Sequence, residues 1–553
     1  MIAFALAISA AAASAATINI VNLDGPGEGF NDPTPAAAVG GNNGATIGQQ
    51  RLNCFTHAAA IWGAILPSAV TINIQSAFNP LTCTATSAVL GSAGPTEAFA
   101  NDPSFPVQGH WYHPALANKF AGVDLSPTYE INAQFNSNLG QTGCLTGSGW
   151  YYGFDHNEGA FIDLVDVLLH EFGHGLGFST VTNGSNGAYL GSSPALWDKF
   201  LYDETTGLHW DQMTATQRVA SAINTNNLTW DGAEVKSAAP GFLSHSPELA
   251  VTFGSGSLSG SAAAFGAALT GAGVSGQAIL VNDGVAATST SDGCETPFVN
   301  AGQVAGQIAV IDRGTCTFVV KVKNAQLNGA IGVILVNNAA GAFSPGGSDP
   351  TITIPVIAIS QADGVTLKAA IAGGPTAVNM RLSPTNIAGL HPSGRVRMYS
   401  PNPYQGGSSV SHYDVSLTPN ALMEPAINAD LTDSIDLTEA LFRDIGWLPG
   451  TVILSVPGGN PAGSVALASS PNPARGHANV HFVLAQRERV ALTLFDVTGR
   501  KVRDLAAGDF ASGGHDVAWD GLDAAGRAAA PGVYLARLKG DHTDAMHRLV
   551  LVN

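Results

Sequence analysis

Charged residues are scarce in this 553-residue chain: Asp, Glu, Lys and Arg make up 12% of it. Basic residues are the scarcer kind, 23 Lys and Arg against 41 Asp and Glu, which leaves a net charge of −18. No Lys/Arg-rich cluster stands out, and a phosphate backbone is bound through such clusters, so the composition argues against a nucleic-acid partner. Long apolar runs are also missing. Beyond residue 16 no stretch offers the ~18 uncharged apolar residues that a membrane span needs, so no transmembrane segment is expected. Cysteine is rare: Cys54, Cys83, Cys144, Cys294 and Cys316 match no zinc ribbon or finger spacing. Their presence fits an oxidising compartment, where disulfides persist. Pairs Cys83–Cys144 and Cys294–Cys316 are expected, because each falls inside one expected domain. Cys54 is left over, in the apolar helical pattern QQRLNCFTHAAAIWGAIL, and reads as a buried free thiol.

Small and turn-forming residues are abundant, with 65 Gly and 30 Pro, which points to short strands and many turns. The length exceeds what one core supports, so several domains are expected. The first sixteen residues, MIAFALAISAAAASAA, form an apolar run closing on Ala13-Ser14-Ala15, although no Lys or Arg precedes the apolar part. Residues 1–16 therefore read as a secretory signal peptide. An acidic, weakly charged surface suits the same extracellular destination.

Residues 17–250 carry a helix pattern from Gln49 to Leu66 and an alternating strand through Val70, Ile72 and Ile74. A second alternating run covers Glu130 to Asn138. A helix, DLVDVLLHEFGHGLGF, follows; Asp163 caps its start, and Gly175 and Gly177 end it. This order of elements indicates an α+β lobe. From residue 251 to 382 short apolar strands alternate with glycine turns (QAILVND, GQIAVIDRG, GAIGVILVNN, TIPVIAIS) and read as a β-rich insert. Residues 383–447 return to polar, turn-forming and catalytic-type residues. A Gly/Pro-rich linker, 448–468, leads to residues 469–553, whose short strands and turns fit a small β-sandwich.

The chemistry concentrates in His170-Glu171-Phe172-Gly173-His174. On a helix, residues four apart share a face, so both imidazoles can reach one Zn²⁺. Glu171 would lie beside the open coordination position, polarise a water and pass its proton to the departing amine. Asp166 either points away or supports the ligands; spacing leaves both open. A catalytic zinc normally takes three protein ligands. His412, in SSVSHYD, is the sharpest candidate for the third, with His156, His209, His245 and His391 as other histidines, and Glu204 as the carboxylate alternative. Met423, in NALMEP, follows His412 by eleven residues, in a polar-flanked segment unusual for an ordinary core methionine.

Taken together, HEFGHGLGF, a distant SSVSHYD and then ALMEP resemble the leishmanolysin-type metzincin zinc peptidases. Gly177 matches the family's turn glycine, and Thr180 stands where most metzincins place the third histidine. The leishmanolysin branch supplies that ligand from downstream of an insertion, which His412 and Met423 match. The resemblance implies one catalytic zinc on His170, His174 and His412, Glu171 as general base and acid, and Met423 as an apolar base beneath the metal. It also implies that the strand around Glu130 to Asn138 is the edge strand of the cleft. The insert, through VIDRGTCTFVVKVKNAQLNGAIGVILVNN and IPVIAIS, resembles the protease-associated (PA) domain, in which Asp312 and Arg313 serve the fold. The tail, through SSPNPARG and LTLFDVTGRKVRDL, resembles immunoglobulin-like modules related to the flagellar hook-cap protein FlgD and to bacterial secretion-sorting tails.

The resulting expectation is a multidomain protein: an α+β metzincin-type catalytic domain interrupted by a PA domain and followed by a small all-β immunoglobulin-like sandwich. Its function would be that of a secreted bacterial metalloendopeptidase acting on protein and peptide substrates. The tail would permit association with the cell surface. Structural calcium has Asp/Asn-rich loops to occupy but no EF-hand spacing. The competing reading is a catalytically inactive protease fold used for adhesion or binding.

Overall fold

A computed structural model of the chain describes residues 15–254, 256–284, 289–341, 343–428, 430–448, 467–470, 474–484, 487–496, 500–511, 513–530, 532–540 and 543–552. The expected signal peptide, but for its last two residues, and nearly all of the expected linker lie outside the described residues. The chain divides into two compact units, Met1–Thr451 and Val452–Asn553.

The first unit opens on a sheet of four strands, β1 (Ile18–Asn22), β2 (Ile72–Asn79), β3 (Gly91–Pro95) and β4 (Ile131–Asn136). Their order is β1-β2-β4-β3, with β1 and β4 parallel to β2 and β3 antiparallel to β4. In β2 burial alternates along the strand, as its Ile/polar pattern requires of a sheet covered on one face. Three helices go with the sheet: α1 (Ile47–Ile65), α2 (Pro114–Ala121) and α3 (Leu164–Leu176). The Thr46 hydroxyl caps α1 by accepting from the Gln49 amide, and Asp163 caps α3 by accepting from the Val165 amide. Trp62 of α1 donates its indole N–H to the Leu169 carbonyl of α3 at 3.0 Å. The two helices are thereby held in register over a core that includes Phe55, Phe135 and Phe172. The disulfide Cys83–Cys144 ties the loop before β3 to the loop after β4. Cys54 is buried and free, and burial pushes its thiol pKa well up.

The β4 strand is not at the edge of this sheet. It lies between β2 and β3, and the edge belongs to β3, a Gly-Ser-Ala-Gly-Pro segment. The expectation that the Glu130–Asn138 run lines the cleft is therefore corrected. Alternation reports which face of the sheet is covered and does not separate an edge strand from an interior one, whereas a strand of small residues has no alternation to read.

From His245 to Ile387 the chain forms a closed barrel of seven strands. Its central parallel strands, Ile308–Asp312, Gly332–Val336 and Val356–Ile359, are buried almost throughout. That accounts for their uninterrupted apolar sequences. The barrel reaches beyond the expected limits 251–382 at both ends, because the strand Ala377–Ile387 pairs with His245–Val251 and closes it. Chain entry and exit are adjacent, with the Ala388 amide donating to the Ser244 carbonyl at 2.9 Å. The second disulfide, Cys294–Cys316, is internal to this segment.

The second unit has a three-stranded sheet (Leu467–Ser470, Ala478–Leu484, Gly513–Trp519) and a five-stranded one that includes Glu488–Asp496 and Gly532–Gly540. Val480, Phe482 and Trp519 from one sheet and Leu492, Leu494 and Leu538 from the other share a single apolar core. This is a sandwich.

Candidate metal centre

The helix α3 is buried along its whole length, so its polar side chains must find partners inside the protein. His170 and His174 lie one turn apart, and His412 reaches them from the other side of the barrel segment. The three Nε2 atoms are 3.1 Å (His174–His170), 3.1 Å (His174–His412) and 3.3 Å (His412–His170) apart. Each Nδ1 faces a backbone carbonyl: Leu422 at 2.7 Å for His170, Phe178 at 2.8 Å for His174 and Ser408 at 2.7 Å for His412. A carbonyl only accepts, so each Nδ1 carries the proton and each Nε2 turns its lone pair inward. A hydrogen bond between two of these rings would need one of them doubly protonated. Burial opposes that, lowering His170 to about 4 and His412 to about 3, and holding His174 well below its ordinary value. Three lone pairs converging at this range call for a cation between them.

Two backbone features set this geometry. Gly177 adopts φ +131, which ends α3 and turns the chain so that the Phe178 carbonyl meets His174. Met423 is fully buried, and a Cβ placed on Gly173 would come within 2.8 Å of its sulfur. The thioether thus fills the space that the glycine between the two histidines leaves open. The same segment orients His170 through the Leu422 carbonyl, and it positions the His412 region through Tyr413, whose amide donates to the Met423 carbonyl at 2.9 Å.

Glu171 is buried beside β3. Desolvation pushes its carboxyl up to about 8, and the Ala93 backbone amide partly offsets this. Its side chain packs against Gly91, where an added Cβ would stand 3.1 Å from the Glu171 Cγ. A cleft of about 840 Å³ opens over the site, lined by residues 86–93 that include most of β3, by His170, Glu171, His174 and His412, and by Thr180, Tyr404 and Ile427.

The other sequence candidates stand elsewhere. His209 pairs with Asp231, His391 with Ser393 and Glu204, and His245 is exposed. Glu204 is engaged by Arg395, Thr229 and Ser393 and is not grouped with the three histidines. Thr180 donates its hydroxyl to Asp198, and its amide donates to the Ser411 hydroxyl beside His412. Asp166 falls in a different group from the three histidines, with His156 and Asp163, and burial and Asp163 push it up to about 7. Asp312 pairs with Lys368, and Arg313 donates to Asn337 within the barrel. One residue had no sequence signal: His113, buried, neutral, with burial holding it at about 4, and 2.8 Å from Ser179 behind His174. A lone histidine before a helix carries no spacing by which to find it.

The barrel segment and the tail match known families. Residues 274–367 match the family model described as PA domain, and residues 472–544 that described as FlgD Ig-like domain. The barrel is a PA domain. Over 84 residues the chain is 34% identical to the minor extracellular protease Vpr of Bacillus subtilis (strain 168). That match spans 15% of this chain and 10% of the relative, so the chain covers a tenth of its length. Among solved structures, a zinc aminopeptidase from Bacillus subtilis is similar at 22% identity over 27% of this chain and 36% of that one, with a TM-score of 0.20. FlgD from Xanthomonas campestris is similar at 28% identity over 15% of this chain and 61% of that one, with a TM-score of 0.13. Overlaps this small carry no argument about the lobe that holds the three histidines, whose reading rests on its own residues. Among the described residues no helix is long and apolar enough to cross a membrane.

Proposed function

We propose that this protein is a secreted bacterial zinc endopeptidase of the leishmanolysin-like metzincin type. Its catalytic domain is assembled from residues 17–250 and 383–447 around the inserted PA domain. The observation that carries the reading is the convergence of three buried, neutral imidazole Nε2 atoms at 3.1–3.3 Å. Ligands held at the usual Zn–N distance of 2.0–2.1 Å in tetrahedral array stand about 3.4 Å apart, so His170, His174 and His412 fit the ion. When bound, zinc would bring the pKa of a water towards neutrality and polarise the scissile carbonyl.

The chain's own residues supply the rest. Glu171, beside the histidines and facing the cleft, takes the proton of the attacking water and returns it to the leaving amine nitrogen. Its raised pKa suits a group that must do both near neutral pH. The β3 strand has a single strand partner, β4, among the described residues, and its other edge offers backbone groups to an extended peptide. An open cleft beside such an edge favours cleavage within a chain. Met423, packed against Gly173, keeps the histidine platform rigid. The buried, intact Glu171 weighs against the reading of an inactive binding protein. Secretion agrees with the two disulfides, and attachment at the cell surface through the FlgD-like domain is part of the same proposal.

The test is a Glu171→Gln variant with its zinc content measured alongside casein hydrolysis. The expected outcome is zinc retained and a rate lowered by about 10²–10⁴-fold. A wild type without stoichiometric zinc, or a variant as active as the wild type, would refute the proposal.

A further inference from the structure

About two turns before His170, the same helix begins in a second buried polar cluster. Three residues meet there, His156 from the loop before α3, Asp163 at its cap and Asp166 in its first turn, and the charge of Glu158 is felt at Asp166. Asp163 and Asp166 are each 4% exposed. Asp163 spends one oxygen on capping the helix, while its Oδ2 has no hydrogen-bond partner. Asp166 Oδ1, Glu158 Oε2 and His156 Nδ1 are also buried without one. Asp163 Oδ2 and Asp166 Oδ1 reach His156 only at ion-pair range, and buried polar atoms gathered in one place without hydrogen bonds need a common explanation.

The separations suggest one. His156 Nδ1 stands 3.5 Å from Asp163 Oδ2 and 3.9 Å from Asp166 Oδ1, too far for hydrogen bonds. Donor atoms of these three residues all lie within 4.8 Å of one another. Such spacings resemble ligand edges around an ion bound at about 2.0–2.2 Å, which run near 3.4 Å, and the neighbouring histidine site shows the same pattern. On its far side, His156 Nε2 lies 3.5 Å from Asp433 Oδ1. That carboxylate faces the ring from behind at ion-pair range, without a hydrogen bond.

We propose that His156 Nδ1 and the carboxylates of Asp163 and Asp166 form a second site for a divalent transition metal. One imidazole nitrogen with two carboxylate oxygens and an open position suits zinc-like ions better than calcium, which takes six to eight oxygens. A bound dication offsets the charge of the two carboxylates held at a helix start. It also fastens the 155–163 loop to the helix that carries His170 and His174. The competing state is a protonated His156 shared among the acids, with no metal.

The experiment titrates the full-length, chelator-stripped protein with Zn²⁺ and counts bound ions by mass spectrometry after desalting. The wild type should bind two, a His170→Ala/His174→Ala double variant one, and that double variant with Asp166→Asn added none. Zinc should also raise the unfolding temperature of the double variant, and Asp166→Asn should abolish the rise. His156→Ala, at a partly exposed loop position, repeats the test where Asp166→Asn disturbs folding. A wild type that stops at one ion with a double variant that binds none overturns the proposal. So does a count unaffected by both Asp166→Asn and His156→Ala. Failure of the three-histidine site is distinguishable: the double variant would then match the wild type, while Asp166→Asn would still remove one ion.

Discussion

The PA barrel and the lobe that holds the three histidines differ in how far along the chain their cores reach. The apolar clusters of the barrel draw only on residues between Leu249 and Met380. The lobe's single core joins residues from Ala16 to Leu243 with residues from Val396 to Trp447. After the barrel the chain returns to stack Phe442 on Trp62, with ring centroids 5.0 Å apart, and to donate the Trp447 indole N–H to the Leu176 carbonyl at 2.7 Å. The barrel also lacks histidine between residues 246 and 387, whereas the lobe buries four. One region is closed upon itself; the other is completed only by chain that lies beyond its neighbour.

The largest expected effect strikes the split site. His412→Ala removes the ligand contributed by the second segment, and zinc affinity should fall by more than about 100-fold, read by competition with a chelator. Retention at unchanged affinity would mean that the two segments do not cooperate in binding.

Next come matched cavities on the two sides of the comparison. Met423→Ala and Ile334→Ala each empty a fully buried position and should cost about 2–5 kcal/mol in denaturant unfolding. Only Met423→Ala should also weaken zinc binding, because Met423 lies under the histidines. Equal effects on zinc would show that the barrel and the centre are coupled after all.

A smaller effect is expected from pH, measured on the zinc-free protein. His170 and His113, at about 4, and His412, at about 3, stay neutral when folded but take up protons below about 6.5 when unfolded. The unfolded state then binds more protons, so stability should drop as pH falls from about 6.5 towards 4. Glu171 has the opposite sign. Its folded pKa of about 8 exceeds the ordinary 4.5, so its contribution is full below pH 4.5 and is lost as pH rises through about 8. Glu171→Gln should flatten the alkaline fall and His113→Ala part of the acid one. An unchanged profile in both variants would contradict the assigned burial effects.

Least change of all is expected from excising the barrel and bridging Ser244 to Ala388 with a short turn, since these residues already share a hydrogen bond. Zinc stoichiometry should stay the same. Its loss would show that the lobe needs the barrel in order to close.

Much of the site was legible beforehand, and for stateable reasons. Helical spacing alone puts His170 and His174 on one face. His412 was singled out by its motif and by Met423 eleven residues on, a pairing the resemblance then matched, and the structure sets His412 beside the other two imidazoles and Met423 against Gly173. Domain-by-domain pairing anticipated both disulfides. The cleft strand was misassigned because Gly91–Pro95 has no periodicity, while Glu130–Asn138 has a strong one that reports a covered face and not an edge. The role of Asp166 was left open because an acid in a helix's first turn has several uses, and only the orphaned atoms around it narrow them.

The sequence by itself determined the chemistry on offer: an H-E-x-x-H helix with an acidic cap, a glycine to end it, and apolar runs that specify a separate barrel. These are local properties, governed by spacing and by which side chains need burial. Only the tertiary structure decided that His412, among the candidate histidines, converges with His170 and His174, that β3 is the strand beside Glu171, and that His156 faces Asp163 and Asp166 across a helix start. Each of these depends on contacts between residues far apart in the chain, and those are set by shared cores and backbone carbonyls rather than by any pattern within one segment.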